Sequence, residues 1–516
     1  MAIINGDSFP YLIFFFLWLI SGFLLKYHFK KPIKPILHLP PSPPSLPFIG
    51  HLHHLGRVGF KCFHNLATKH GPLLSLHLGS LPLLVVSSAS YAAEIFKTND
   101  LTFSNKPKTP FDEGLLFQNF GFISAPYGDY WRFMKKLCVT ELLGTGMIER
   151  SRSVRGEELQ GFLQKMVEKA CKNENVDLEN ELMKLMNNII CRMVMSTRCS
   201  EEEDEAQRCK ELVEGSMELA GKMAVAYFLG PLKKVGCWVF RKQLKEIPRQ
   251  IDELLEKILK EHEERAKRDG GEGEGKDLMD ILLKVYQDKD AEFQISRNHM
   301  KAFFVDLFIA GTHTSADSTH WVMALLINHP NVFNKLRGEI ESVVGKNRLV
   351  EESDIPNLHY LQAIVKETLR LYPLGPFIPR VSCEDCKIGG FDIPKETLVL
   401  INLYSIMRDP EIWDNPDEFK PERFLVSHKE TNRQNHLLGY VPFGGGRRMC
   451  PGSHLALTII HITVASMVQC FDWKVPGEDG DGDGGKVNME AKSGVIMSMA
   501  HPIVCLPVVR YNPFAA

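Results

Sequence analysis

Phe443-Gly444-Gly445-Gly446-Arg447-Arg448-Met449-Cys450-Pro451-Gly452 presents one cysteine sulfur at the end of a glycine-rich loop. Glycines without a Cβ permit backbone angles closed to other residues and let a flat body approach closely. Pro451 suits a first helical position, where its missing N–H costs nothing. The apolar run from Leu455 to Val468 then has the length of a buried helix. The spacing therefore predicts Cys450 at a helix N-terminus, where the dipole and free N–H groups favour a thiolate. A thiolate is an electron-rich axial ligand for haem iron, and Arg448 is placed to pair with a haem propionate. The competing reading is a buried structural cysteine.

Three further groupings carry chemistry or hold it in place. Phe308-Ile-Ala310-Gly311-Thr312-His313-Thr314-Ser315 lies in a long apolar stretch that predicts one helix over 298–328. A mid-helix glycine costs about 1 kcal/mol relative to alanine, so Gly311 implies a close approach or a groove. Glu367 and Arg370 stand at i and i+3 on one helix face, with Pro421-Glu422-Arg423-Phe424 downstream. Trp131-Arg-Phe-Met-Lys135 and Ile378-Pro379-Arg380 add an aromatic ring and two cations.

The pattern Phe443-x-x-Gly446-x-Arg448-x-Cys450-x-Gly452 resembles the haem-binding signature of the cytochrome P-450 family. The other groupings follow in that family's order, so the resemblance covers nearly the whole chain. It implies haem b (iron protoporphyrin IX) with Cys450 as axial ligand of the iron, and Phe443, Arg448 and Gly452 in the same loop. Trp131, Lys135 and Arg380 would be propionate partners. Lys135 replaces the family's arginine and cannot give a bidentate contact. Glu367, Arg370 and Arg423 would form a structural ion-pair cluster behind the haem. Thr314 matches the family's oxygen-activating threonine, which helps to deliver protons. His313 stands where the family has an acid. Two readings of it stand: an imidazole that relays protons near neutral pH, or a cap on a polar patch.

The elements that must position these groups read as one mostly α-helical domain with small β-sheets. Phe9 to Leu25 is an uncharged apolar run near the length that spans a bilayer. Lys26, Lys30, Lys31 and Lys34 follow it, so the positive-inside rule puts the N-terminus in the lumen and the rest in the cytosol. The expected organisation is an anchor over 1–25, a basic and Pro-rich hinge over 26–50, and a haem-thiolate catalytic domain over 51–516. Leu73–Leu78 and Leu81–Val86 predict a strand hairpin turning at Gly79-Ser80. Ile148 to Glu264 reads as mostly amphipathic helix.

Composition excludes some classes. The net charge of −2 gives no reason to expect nucleic acid as a partner. The 12 scattered cysteines suit a reducing compartment rather than a disulfide framework. Cys383-Glu-Asp-Cys386 lacks a second pair and is assigned no metal. Asp479, Asp481, Asp483 and Glu490 copy an EF-hand spacing, but Pro476-Gly477 breaks the entering helix, so a Gly/Asp turn is expected there.

The function the resemblance implies is a plant microsomal monooxygenase (an oxidoreductase) in a single-pass endoplasmic reticulum anchorage. NADPH would supply electrons through a separate NADPH–cytochrome P-450 reductase. Candidate pocket residues are Phe117, Phe122, Asp306, Ala310, Phe377 and Ile496, nearly all apolar. That lining suits a bulky, sparsely functionalised skeleton. The expected substrate is a pentacyclic triterpenoid, friedelin-like or amyrin-like, with a methyl group oxidised stepwise to alcohol or acid. A flavonoid is the alternative. A reductase-independent haem-thiolate isomerase or dehydratase, or a haem-binding sensor, is the alternative of another class, and Thr314 argues against it. Asp306 has two readings: a helix-to-helix hydrogen bond, or a handle for a substrate hydroxyl.

Overall fold

The computed structural model describes residues 21, 37–108, 121–196, 211–212, 215, 218–219, 238–268, 277–425, 438–476 and 485–515, excepting positions 48, 55, 57–58, 80, 493 and 495. The anchor run (save Ser21), Phe117, the acid-glycine turn over 479–484 and Val495 lie outside the described residues. The principal helices are α1 (Gly59–His70), α2 (Asp129–Leu137), α3 (Arg152–Cys171), α4 (Leu178–Met195), α5 (Gln243–Arg268), α6 (Leu278–Gln287), α7 (Arg297–Asn328), α8 (Pro330–Val344), α9 (His359–Leu371) and α10 (Ser453–Cys470). The strands are β1 (Leu73–Leu78), β2 (Leu81–Val86), β3 (Val176–Asp177), β4 (Phe377–Val381), β5 (Cys386–Ile388), β6 (Phe391–Ile393), β7 (Leu398–Asn402), β8 (Phe471–Lys474) and β9 (Val504–Val509). They form sheets ordered β1-β2-β7-β4, β3-β9-β8 and β5-β6. The fold is mostly α with small sheets.

The central element is α7, which runs where the apolar stretch predicts it. Ser296 caps its start, exchanging hydrogen bonds with the backbone N–H and the ring of His299. From Ser315 to Leu326 every residue is buried. A Cβ on Gly311 would stand 2.9 Å from Ile190 Cδ1, so that glycine permits the close crossing of α7 on α4. Among the described residues α10 is the one helix long and apolar enough to cross a membrane. Its residues from Ile459 onward are buried, which makes it a core helix.

The sheet that flanks the site joins distant parts of the chain. β1 and β2 pair antiparallel from Leu73↔Val86 to Leu78↔Leu81, and Gly79 takes φ 61° at the turn. β2 then pairs parallel with β7, and β7 antiparallel with β4, so Arg380 lies opposite Val399. The Pro-rich stretch does not stand clear of this sheet. Pro41 O accepts from Ser75 N–H at 2.8 Å, and buried His51 accepts from His77 N–H at 2.8 Å.

The region read as mostly amphipathic helix contains a break that the apolar spacing does not signal. After α3, Asn173 turns through φ 55° and Val176 pairs with Cys505 of β9. Asp177 caps α4 by accepting from Asn180 N–H. Cys191 on α4 is disulfide-bonded, a pairing the scattered cysteines do not announce.

Candidate functional site

The Cys450 loop is closed by its own backbone, with Cys450 N–H donating to Phe443 O at 3.0 Å. Gly444 and Gly446 take φ 76° and 68°, where a Cβ is disfavoured. Their neighbours are protein as well: a Cβ on Gly445 would meet Phe96 at 2.7 Å, and one on Gly446 would meet Asp100 at 2.3 Å. The glycines thus seat the loop on the Phe96–Asp100 segment.

Cys450 precedes the helix rather than beginning it. Pro451 and Gly452 make a turn, and α10 starts at Ser453 with Gly452 as its cap. The sulfur keeps accessible area, yet burial pushes its thiol pKa above the ordinary 9.0, so it borders an internal cleft. The Gly452 N–H, Lys135 and Lys106 pull the other way without overcoming burial. The expected thiolate stabilisation by the helix end therefore does not suffice here. A bound metal cation would supply the missing positive charge.

Beside the loop three cations converge. Arg448 donates through Nε to Ser104 O at 2.7 Å and through Nη2 to Ala125 O at 2.6 Å, and its guanidinium lies 4.4 Å from the Trp131 ring centroid. Its Nη1 is buried without a hydrogen-bond partner. Arg380, 4% exposed, donates to the neighbouring Pro379 O at 3.0 Å. Lys106 joins them because Asn105 bridges Val381 at the end of β4. Burial lowers the pKa of Lys106 to about 8, helped by repulsion from Arg380 and Arg448 and opposed by Asp306 and Cys450. Burial likewise brings Arg380 to about 10, against the pull of Asp100, and Arg448 to about 10, with added repulsion from Arg380. Mutually repelling cations, Arg380 buried and Lys106 and Arg448 half-buried, with a free N–H, suit a multiply charged anion. Lys106 escaped the sequence reading, since one lysine between Asn105 and Pro107 forms no pattern. Lys135 lies beside the group and donates to Met449 O at 2.8 Å.

Further polar groups lie on α7. Its residues 306, 307, 309–311, 313 and 314 retain accessible area while the turns beyond are buried. Thr314 Oγ1 donates to Ala310 O at 2.6 Å. Thr312 Oγ1 donates to Phe308 O at 2.8 Å, so its lone pair faces His313 Nδ1 at 3.2 Å. With the Thr312 hydroxyl proton given to Phe308, the tautomer with its proton on Nδ1 makes that contact a hydrogen bond and keeps Nε2 as an acceptor. Asp306 Oδ2 accepts from Ile123 N–H at 3.0 Å, tying the 121–125 segment to α7. Phe122 of that segment stacks on Trp131 with centroids 6.0 Å apart. Phe377 and Ile496 both pack on the main core at half-buried positions, and Phe377 also meets Phe63 edge-on.

Glu367, Arg370 and Arg423 come together. Arg370 grips both oxygens of Glu367 at 2.7 and 2.9 Å, and Arg423 Nε donates to Glu367 Oε1 at 2.9 Å. Glu367 and Arg370 are fully buried. The remaining guanidinium N–H groups reach backbone carbonyls of Met407, Asp414, Asn415, Pro416 and Glu418. The cluster fastens the loops between β7 and the Cys450 segment to α9.

The profile of the family described as Cytochrome P450 matches residues 40–492. Cytochrome P450 705A22 of Arabidopsis thaliana is 46% identical over 520 residues, spanning 99% of each chain. The 3,9-dihydroxypterocarpan 6A-monooxygenase of Glycine max is 43% identical over 484 residues, 92% of this chain and 94% of that one. A zebra fish cytochrome P450 solved with abiraterone superposes with a TM-score of 0.73 at 26% identity, covering 89% of this chain and 100% of the other. With the cysteine loop, the cation cluster and α7 arranged in one fold, the chain belongs to the cytochrome P450 family of haem-dependent monooxygenases.

Proposed function

We propose that Cys450 ligates the iron of haem b and that Lys106, Arg380 and Arg448 hold its propionates, with Trp131 and Lys135 beside them. The observation that carries this reading is the cation cluster, whose mutual repulsion and unpaired, buried Arg448 Nη1 call for a dianion. When bound, haem supplies the redox centre at which dioxygen is reductively activated for insertion into a C–H bond. The chain's own residues do the rest. Thr314 and His313 offer a hydroxyl and an imidazole Nε2 for moving protons on the face of α7. Electrons come from NADPH through a separate flavoprotein reductase. An N-terminal segment over 1–25 anchors the protein in the endoplasmic reticulum, with the catalytic domain in the cytosol. Reduced protein with carbon monoxide should show the red-shifted Soret band of thiolate ligation, and Cys450→Ala should lose it. A band that survives the substitution overturns the ligand assignment.

The enzyme is a monooxygenase of plant metabolism, and we propose a pentacyclic triterpenoid as its substrate. Phe122, Ala310, Phe377 and Ile496 offer apolar surface, and Asp306 already accepts a backbone N–H. A sparsely functionalised skeleton suits such a lining. A second reading, a fused-ring phenolic of flavonoid type, is favoured by the similarity to the pterocarpan monooxygenase. Co-expression with a reductase in a host making triterpene scaffolds, beside feeding of flavanones and pterocarpans, separates the two. Turnover of the phenolics alone sinks the triterpenoid assignment.

A further inference from the structure

Beyond Thr314 the same stripe of α7 continues with Asp317 and Trp321, three and seven residues on. Both are buried, at 5% and 0% exposure. Asp317 Oδ2 accepts from Ser498 Oγ–H at 2.6 Å, and Trp321 Nε1 donates to Met497 O at 2.8 Å. Met497 N–H in turn donates to Leu374 O at 2.9 Å, three residues ahead of β4. The Ala491↔Met499 bridge and the Lys492 N–H to Ser498 O bond bring together the two ends of the segment that carries Ile496. The segment that carries Ile496, and through Met497 the backbone ahead of Phe377, are therefore tied to α7 by the Asp317 and Trp321 side chains.

Of these two, Asp317 is the one that packing alone does not justify. Trp321 fills volume and stacks on Tyr372 with centroids 3.9 Å apart. A carboxylate buried in an apolar helix costs free energy unless it is paired. The charged groups facing it are Glu179 in the first turn of α4, which repels it, and Lys492 of the Ile496 segment, which attracts it. Its helix neighbour His320 uses Nε2 to accept from Ile503 N–H, and burial brings its pKa down to about 4, so it adds no charge near neutral pH. Among the described residues the Ser498 hydroxyl is the hydrogen-bond donor to this carboxylate.

We propose that Asp317 is a positioning residue for specificity, which through Ser498 sets where Ile496 stands in the cavity and so how a rigid bulky substrate is seated. This rests on the reading that the Ile496 segment lines the substrate cavity of a haem enzyme. Loss of the bond loosens the Ser498 side of the segment, while Trp321 and the Ala491↔Met499 bridge still hold it, and leaves the haem contacts alone, so small and large ligands of the iron should respond differently.

The test uses the full-length holoenzyme, titrated optically with imidazole and with clotrimazole, a rigid triaryl azole that reaches the cavity walls. Ser498→Ala and Asp317→Ala should change the ratio of the two dissociation constants by about fivefold, the worth of one net hydrogen bond. Imidazole affinity and the carbon monoxide band should stay as in the wild type. Asp317→Asn, whose amide oxygen still accepts the Ser498 hydroxyl, should keep the wild-type ratio. An unchanged ratio in Ser498→Ala and Asp317→Ala overturns the proposal, as does an Asn variant that behaves like the Ala variant. Should Asp317→Ala fail to fold, Ser498→Ala removes one oxygen atom and carries the test alone. A wild-type protein that gives no spectral response to imidazole refutes the haem reading instead, which keeps the two failures apart.

Discussion

Replacing any one of Lys106, Arg380 and Arg448 by glutamine should speed haem loss, because desolvation disfavours the charge of each and, among the described residues, none has a carboxylate as hydrogen-bond partner. A charged hydrogen bond contributes about 1.5–3 kcal/mol, so transfer of haem to apomyoglobin should accelerate by roughly tenfold or more. Arg448→Gln should be the most damaging, since Arg448 also ties Ser104 and Ala125 to the loop. Equal rates in all four proteins would remove the cluster from haem binding. Two of these residues sit in readable motifs, whereas Lys106 acquires meaning through Asn105 pairing with Val381, a contact no local spacing encodes. His313 is a similar case. Its identity is visible in the sequence, but its acceptor nitrogen follows from the Thr312 hydrogen bonds. If it relays protons, His313→Ala should release more peroxide per NADPH consumed, and His313→Asp should not. Indistinguishable peroxide yields would leave His313 a cap on a polar patch. Thr314→Ala should uncouple at least as strongly.

Among the elements, α7 was legible to within a residue because its apolar stretch is long and ends at Pro330. The entry to α10 was read two residues early, since Pro451 can begin a helix but here shares a turn with Gly452. The break at β3 was illegible, because its two residues owe their conformation to β9, more than 300 positions away. Element-scale electrostatics leads to two predictions. Glu367→Gln leaves Arg370 and Arg423 facing a neutral amide in a buried site, which should destabilise the protein by about 3–5 kcal/mol and lower its urea midpoint. Asp317 behaves in the opposite sense. Burial raises its pKa from 3.8 to about 6, so the folded chain holds this proton more tightly than the unfolded one. Its favourable contribution is present below about pH 4 and is lost as the pH rises through 6. Asp317→Asn should therefore gain stability relative to wild type, by roughly 2–3 kcal/mol at pH 8 and by less at pH 5. A pH-independent gain in thermal midpoint would contradict the assignment.

For the whole molecule, the motif order made the fold legible, while the attitude of the Pro-rich stretch was not. Its prolines imply a stiff hinge but name no partner; Pro41, Gly50 and the adjoining His51 are bound to β1. Deleting residues 1–25 should shift much of the protein from membrane to supernatant and leave the carbon monoxide band intact, because that docking begins after the deleted segment. A truncated protein unable to bind haem would mean that the segment is needed for folding. The parallel pairing of β2 with β7 has a further consequence, for biosynthesis. Val86 and Leu398 are more than 300 residues apart, and ribosomes add about 5–20 residues per second. A nascent chain therefore exposes the apolar β2 edge for roughly 15–60 s before its partner emerges, and Cys450 comes later still. The early chain must be shielded until that partner emerges, and on the proposed ligation by Cys450 haem capture waits until that loop has been synthesised as well.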